Sequence, residues 1–355
     1  LQLKQINTLI IVTDLTLGGI QNYVRTLSDL LVEMKHKVFI IAINEAYLFE
    51  KAEVILLKDY QSFKKPLFIK RFVKKNEIDV VLDHRTKSNL VKQKVYDCIL
   101  KNVPKIQFVH SANLDMYFYK TKWLNQLAYK NTKMFVSVSE YINELVQKQI
   151  KSTYEVAYYF FDLNEITQHK NTNKQDVLFV GRFDNEVKDL DFLLNAYKIS
   201  ELHAENVRFH FVGAGKDEQL IRGFAERNQL EDFIIIHKAT DDLKEFYRKA
   251  KIVVLASNFE GFPLVLLESM FNKTPVLTTF FNPSVQEIII PNENGIVVEK
   301  ELTQFTEALK QVFHDSEFYN HLIENLSPFN TNFTKETAKI KWKTIFDNLL
   351  KNRTT

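Results

Sequence analysis

A unit that repeats along the chain constrains it most: a short, almost unbroken apolar run, a turn, and a stretch with helical spacing. In "NTLIIVTDLTLGGIQNYVRTLSDLLVEMKHKVFIIAI" the first run passes through Gly18-Gly19 into Ile20, Val24, Leu27, Leu31 and Met34, which recur at helical intervals. The run "HKVFIIAI" is too apolar to have a solvent face, as strands covered by helices on both sides require. "IDVVL" (78–82), "KIQFV" (105–109) and "KMFVSV" (133–138) extend the series. Strands alternating with helices pair in parallel, so the pattern predicts a parallel sheet with crossover helices.

The series restarts after polar, turn-rich "HKNTNKQ" (169–175). "DVLFVGRF", "VRFHFVGAG", "DFIIIHKA" and "KIVVLASN" read as four more strands, each leading into a helix-like stretch. The fold class expected is α/β: two Rossmann-like domains with parallel sheets facing a central cleft, split within 155–175. A domain over 1–160 precedes one over 161–334, and 335–355 forms a last helix. There Ile340, Trp342, Ile345 and Leu349 fall broadly on one side. A length of 355 residues suits two domains.

The single cysteine, Cys98, excludes a disulfide framework and fits a reducing compartment, so a cytoplasmic location is expected. No stretch of uncharged apolar residues is long enough to predict a spanning helix. The start, "LQLKQINTLIIV", lacks a signal peptide's small-residue cleavage site and reads as a first strand. The missing initiator Met points to a trimmed N-terminus.

Charge is unevenly spread. Residues 1–160 hold 24 Lys+Arg against 15 Asp+Glu, or +9, while the remainder hold 23 against 29, or −6. A basic front half suits an anionic surface or substrate, although a Lys-rich composition alone gives the same count. "KKPLFIKRFVKK" (64–75) puts Phe68 and Phe72 on one helical face and Lys70, Arg71, Lys74 and Lys75 on another. It either docks on anionic lipid or packs on the sheet as an ordinary amphipathic helix.

Ligands of open parallel sheets sit beyond the carboxyl ends of the strands, so the turns there are the places to search. "KIVVLASNFEGFPLVLLESM" runs from a buried strand through a turn into a helix. Glu260 lies in the turn, Pro263 suits the first helical position, and Glu268 lies about a turn and a half on. The free N–H groups of a helix start attract phosphate, Gly261 permits close approach, and carboxylates accept well from sugar hydroxyls. A nucleoside diphosphate sugar has that layout. The spacing recurs at Glu45/Glu53, Glu218/Glu226, Glu293/Glu301 and Glu299/Glu307, but without the strand, the turn and the apolar helix. Otherwise Glu260 is a helix-start acid and Glu268 a solvated or salt-bridged helix residue.

"VGRFDNEVKDL" supplies a second group of residues. Gly181 turns the chain, and Arg182 and Lys188 follow, two cations suited to a diphosphate and to charge growing on a leaving phosphate. Alternatively Arg182 pairs with Asp184 and Lys188 is solvated. Gly18-Gly19 resembles a phosphate-approach turn or a simple one. "FVGAGKDEQL" has Gly213 and Gly215 but Glu218 where a dinucleotide fingerprint needs a third glycine. His110 follows a strand and either meets a sugar or is structural. No spacing suggests a metal: "DLD" (189–191), inside a predicted helix, and "TDD" (240–242) read as capping or solvated acids.

Together, and in order, "LTLGGIQNYVRTLSDLL", "VHS", "VGRFDNEVKDLDFLLNAY", "FVGAGKDEQL", "SNFEGFPLVLLESM", "KTPVLTT" and "NENGIVV" resemble the GT-B-fold retaining glycosyltransferases of family 4. Residues 44–105 resemble nothing in particular. The resemblance implies catalytic roles for Glu260, Arg182, Lys188 and His110. Glu260 and His110 would contact the donor hexose, and Arg182 and Lys188 the diphosphate. Gly18, Gly19 and Gly181 would approach the phosphates, and Gly261, Phe262, Pro263 and Leu264 would line the sugar pocket. Glu268 would hold the ribose, and Lys238 and Ala239 the base. It implies no metal and no cofactor, the nucleotide sugar being a substrate, and a last helix that crosses back to the first domain.

Three departures stand out. "AYYFFDLNE" lacks the usual Pro-Asn pair near the linker, Ala239 stands where glycine is common, and Asn272-Lys273 stand where a small residue and glycine are usual. The expected activity is transfer of a hexose, foremost from UDP-hexose, to a bacterial surface glycan such as lipopolysaccharide or capsule, or to a lipid-linked saccharide. Peripheral contact with anionic membrane is also expected, and nucleic acid is not a partner. The alternatives are a GT-B sugar-nucleotide epimerase, a nicotinamide-dependent Rossmann oxidoreductase, and a non-catalytic carbohydrate-binding relative.

Overall fold

The computed structural model describes residues 5–15, 18–46, 52–162, 174–240, 242–326 and 331–351. The expected split at 155–175 therefore lies partly outside the described residues. The chain divides into two compact units, Leu1–Phe161 with Asn332–Thr355, and Asp162–Thr331.

The first unit contains β1 (Asn7–Leu15), α1 (Gly19–Glu33), β2 (Lys37–Ala46), β3 (Glu53–Leu56), α2 (Lys64–Lys75) and β4 (Val80–Asp83). It continues with α3 (Leu90–Ile99), β5 (Lys105–Val109), α4 (Lys122–Ala128), β6 (Thr132–Ser137), α5 (Glu140–Gln147) and β7 (Thr153–Val156). The seven strands pair in the order β3-β2-β1-β4-β5-β6-β7, all parallel. The apolar runs dictate this: residues 8–12 and 38–43 are buried without interruption, which only a sheet covered on both faces permits.

On one face α3 packs between α2 and α4. Phe72 meets Phe39 at 5.3 Å between ring centroids, and Phe68 stacks on Phe72. The apolar face of α2 is thus spent on the core, and Lys70, Arg71, Lys74 and Lys75 remain exposed. The last helix of the chain, Lys335–Lys351, belongs to this unit. Trp342 stacks on Phe108 at 5.8 Å, and Lys341 pairs with Glu155 at 2.6 Å. Its buried stripe is Ala338, Trp342, Ile345 and Phe346, whereas Ile340 is 69% exposed. Ile340 lies two residues from Trp342, about 200° around the helix, so it could not share that stripe.

The second unit contains β8 (Asp176–Val180), α6 (Asn185–Lys188), α7 (Leu190–Ser200), β9 (Phe209–Gly213), α8 (Glu218–Asn228), β10 (Ile234–Lys238) and α9 (Lys244–Lys249). It continues with β11 (Ala250–Leu255), α10 (Leu264–Phe271), β12 (Val276–Thr279), β13 (Ile296–Val298), α11 (Leu302–His314) and α12 (Ser316–Asn325). Its parallel sheet has the order β10-β9-β8-β11-β12-β13. The helix expected across "DLD" is interrupted. Asp189 is left-handed, with φ at 45°, and caps α7 by accepting from the Phe192 amide at 3.3 Å. Asp241 of "TDD" lies outside the described residues.

Candidate active site

Each sheet reverses its winding once, between β1 and β4 in the first unit and between β8 and β11 in the second. The carboxyl ends of strands at such a point are where α/β sheets take ligands, because the flanking loops diverge there and leave a crevice. In the second unit the loop after β8 carries Gly181 and Arg182, the short helix α6 that follows ends at Lys188, and the loop after β11 carries Glu260. Those four residues therefore stand at adjacent strand ends.

Lys188 and Glu260 form an ion pair, with side chains only 14% and 12% exposed. Ser257 donates to the same carboxylate oxygen, Glu260 Oε1, at 2.7 Å. The backbone of this loop is tied on both sides. Asn282 donates to the Glu260 carbonyl at 2.7 Å, and Ser284 to that of Gly261 at 3.0 Å. The Asn258 amide reaches the Val187 carbonyl at 2.8 Å, and its side chain reaches that of Glu186 at 3.0 Å. Lys300 bridges Asn258 and Asp189. A partly buried charge pair held this way is directional: further hydrogen bonds satisfy the carboxylate and fix its orientation.

Arg182 is exposed, and its side chain makes no hydrogen bond or ion pair with the described residues. Asp184 pairs with Lys216 at 3.5 Å instead. The β8 loop that carries Arg182 leans on the β9 loop: Gly181 donates to the Val212 carbonyl at 3.0 Å and Phe183 to that of Ala214 at 2.9 Å. A Cβ on Gly213 would lie 1.9 Å from the Gly181 carbonyl oxygen, and one on Gly215 2.2 Å from that of Phe183. "VGAG" is therefore glycine because the Arg182 loop occupies the space of a side chain, which accounts for the pair without a dinucleotide.

Pro263 caps α10 rather than occupying its first turn, and no side chain caps that helix start. Phe262 is buried, while Phe259, two residues before Gly261, is 70% exposed. Glu268 accepts from the Tyr247 hydroxyl at 3.0 Å. Burial and the Glu268 carboxylate hold that phenol far above its usual range, so it stays a donor. Lys238 ends the edge strand β10, Ala239 follows it, and both are exposed. Lys273, where glycine is usual, adopts φ at 56°, the left-handed conformation that explains the usual glycine.

In the first unit Gly18 and Gly19 start α1 at the end of β1. His110 follows β5 and is 7% exposed. Its Nε2 lies 2.9 Å from His84 Nδ1, and its Nδ1 3.2 Å from the Tyr159 hydroxyl. Burial lowers the His110 pKa to about 3, so the ring is neutral. Ser257, Asn258, Asn282, Ser284, Lys300, His84 and Tyr159 are outside the residues that the sequence singles out. Among the described residues, no three His, Cys, Asp or Glu side chains are placed to hold a metal ion.

The family models agree with this geometry. That of "Glycosyl transferases group 1" matches residues 162–327, and that of "Glycosyltransferase Family 4" matches residues 17–165. An N-acetylgalactosaminyltransferase of Campylobacter jejuni is 26% identical over 183 residues, 50% of each chain, and an uncharacterised glycosyltransferase of Haemophilus influenzae is 24% identical over 48% of each. The chain thus spans about half the length of the curated relatives it matches. Over its whole length it superposes on the pneumococcal O-GlcNAc transferase GtfA, with a TM-score of 0.80 at 13% identity covering 97% and 99% of the two chains. A glycosyltransferase of Rickettsia africae superposes with a TM-score of 0.77 at 16% identity, covering 98% and 99%. With two parallel α/β units, charged strand-end loops at a switch point and a family match in each half, the chain belongs to the GT-B-fold, family-4-like glycosyltransferases.

Proposed function

We propose that the chain is a retaining hexosyltransferase that moves a hexose from a nucleotide sugar, foremost a UDP-hexose, to a surface glycan or lipid-linked saccharide. The observation that carries this reading is the Glu260 carboxylate, oriented by Lys188 and Ser257 ahead of the uncapped start of α10, with the exposed Arg182 on the loop after the neighbouring strand β8. Arg182 and Lys188 stabilise the charge that grows on the departing diphosphate. The bond from the anomeric carbon to the diphosphate oxygen breaks, and one to the acceptor oxygen forms on the same face. The acceptor's proton passes to the departing phosphate. Glu260 accepts from hexose hydroxyls and Glu268 from the ribose. The counter-charge falls to side chains, and no metal or cofactor is assigned. The pneumococcal neighbour's structure holds UDP and GlcNAc, and the Campylobacter relative's name specifies an undecaprenol diphosphate-linked saccharide, which supports both ends of the reading.

The same reading includes contact with an anionic bilayer, at the inner face of a bacterial plasma membrane. Among the described residues no helix is long and apolar enough to cross a membrane. The helices α2, α3 and α4 carry nine Lys and Arg and a single acid, Asp97, which is buried against Lys105. Trp123, Phe63 and Val91 are exposed among them at 65%, 69% and 75%. Cosedimentation with phosphatidylglycerol but not phosphatidylcholine vesicles is expected. Replacing Lys70, Arg71, Lys74 and Lys75 by Ala should cost about 1 kcal/mol of binding each, and equal binding of the variant would refute the contact.

The test of the donor is a thermal-shift series with UDP, GDP, ADP, NADH and several UDP-sugars. Ligand at about 100 times its Kd adds about 2.7 kcal/mol of stability, a shift of several degrees. UDP and one UDP-hexose should stabilise. Stabilisation by NADH alone would establish the oxidoreductase alternative instead. A changed sugar nucleotide without acceptor would establish the epimerase.

A further inference from the structure

His84 directly follows β4, and three hydrogen bonds pin the backbone of residues 83–85. Its amide donates to the Ile11 carbonyl at 2.8 Å. Gln107 of β5 donates through one amide nitrogen to the carbonyls of both flanking residues, Asp83 at 3.0 Å and Arg85 at 2.9 Å. Arg85 folds back on Asp83 in a two-point ion pair of 2.8 and 2.7 Å and lies 3.8 Å over the Tyr96 ring. Both ions are buried. A buried ion pair is commonly no more stabilising than apolar residues of the same volume, so stability alone does not account for this frame. What it adds is fixed geometry.

The group that the frame presents is the His84 ring. It stacks on Phe108 at 3.8 Å and faces His110 through Nδ1. Of the two facing nitrogens one must donate and the other accept, so the tautomers of the two neutral rings are tied to each other. Tyr159 closes the far end on His110 Nδ1. His84 Nε2 is buried with no hydrogen-bond partner among the described residues. Buried polar atoms are nearly always paired, so an orphan marks an arrangement retained for something other than stability.

We propose that His84 is a positioning residue that sets the tautomer and ring plane of His110, with Asp83, Arg85 and Gln107 holding His84 in place. This rests on the transferase reading, in which His110 meets the donor hexose. His84 acts through His110 and does not itself touch substrate. His84 and Tyr159 engage both His110 nitrogens, so a hexose hydroxyl takes the place of Tyr159 at Nδ1, whose polarity His84 fixes through Nε2.

The experiment compares His84→Leu, which removes the bond, with His84→Asn, whose amide can replace Nδ1. Steady-state kinetics and nitrogen-15 spectra of the histidine rings are measured on the full chain. His84→Leu should lower kcat about tenfold or more with donor KM little changed. His110 should then lose its single tautomer. His84→Asn should restore both. Unchanged kcat and an unchanged His110 tautomer in folded His84→Leu would overturn the proposal. So would losses in both variants that track melting temperature while the tautomer stays fixed. If His84→Leu does not fold, Tyr159→Phe releases the other end of the chain and should shift the same His110 signals; no shift would overturn the lock. Failure of the wild-type protein to transfer any hexose would reject the transferase reading, and the spectra would still decide whether His84 sets the His110 tautomer.

Discussion

At the switch point of the second sheet the side chains are charged and reach toward solvent: Arg182 is exposed, and Lys188 and Glu260 keep part of their surface. In the first sheet, His84 after β4, His110 after β5 and Tyr159 beyond β7 are buried, and both imidazoles are held neutral by that burial. One winding pattern thus supports two kinds of site. Charge that must stabilise a departing phosphate has to be presented, and partial exposure lowers the cost of holding it unneutralised. A hydrogen bond that orients a sugar gains more from dry, rigid surroundings, where its geometry is not contested by water.

The largest expected effect would break this comparison on the charged side. Glu260→Ala should lower kcat by about 10²–10³, the cost of losing one preorganised polar group at a reacting centre. Folding should persist, since the residue is partly exposed and Lys188 can turn to solvent. Single-turnover transfer beside a melting curve checks both points. Normal turnover in the folded variant would remove the second-unit site from the argument.

Acid should separate the two units next. His36 is buried beside Phe346, and burial lowers its pKa to about 4, as it lowers that of His110 to about 3. The unfolded chain takes up these protons near the ordinary value of 6.5, before the folded chain does. Stability from these neutral rings is therefore complete above about pH 6.5 and is lost as pH falls toward 4 and then 3. For His36 alone the loss is on the order of 3 kcal/mol. In the second unit burial lowers His237, which loses its contribution in this same range, against three such rings in the first unit, His36, His84 and His110; Asp176 is lowered, with burial opposing and His210 prevailing, and loses its contribution only in the carboxylate range. Both tryptophans, Trp123 and Trp342, lie in the first unit. Their fluorescence should change at higher pH than the far-ultraviolet circular dichroism, which reports both units. Coincident transitions would show that the buried histidines do not set the acid limit.

What was legible in the sequence follows the same division. Glu260, Arg182 and Lys188 stand out because each is a charge in a strand-to-helix turn after an apolar run. Their pairing does not, because Lys188 and Glu260 are 72 residues apart and meet only once β8 and β11 are known to be neighbours. Asp83-His84-Arg85 carries the same kind of signal directly after "VVL", but it lies in 44–105, where the sequence shows no recognisable motif, although the family 4 model extends across it. Its meaning depends on Gln107 and His110, which arrive through β5. Ile340 illustrates the opposite error: an apolar residue counted toward a stripe from which two positions of helix rotate it away.

The next step sharpens the comparison through backbone rather than charge. Gly213→Ala would place a methyl group 1.9 Å from the Gly181 carbonyl oxygen. The β8 loop must then move, at a cost of about 1–3 kcal/mol for a contact that neither strand can relieve. Melting should fall by several degrees, and turnover should fall further than stability explains, because Arg182 rides on that loop. A loss of stability with kcat intact would detach Arg182 from the chemistry.

The smallest effect concerns Glu268. It accepts from Tyr247, whose hydroxyl is buried and held protonated, and in the proposed reading the same carboxylate meets the ribose. Glu268→Gln keeps the size and hydrogen-bonding capacity but removes the charge, which makes bonds to hydroxyls about twice as strong. Affinity for UDP should fall roughly tenfold, with kcat for bound donor nearly unchanged, since the ribose is held equally in ground and transition states. Calorimetry on the variant decides the point. Unchanged affinity would mean that Glu268 serves only to hold Tyr247. The second unit would then bind nucleotide through the start of α10 and the Arg182 loop alone.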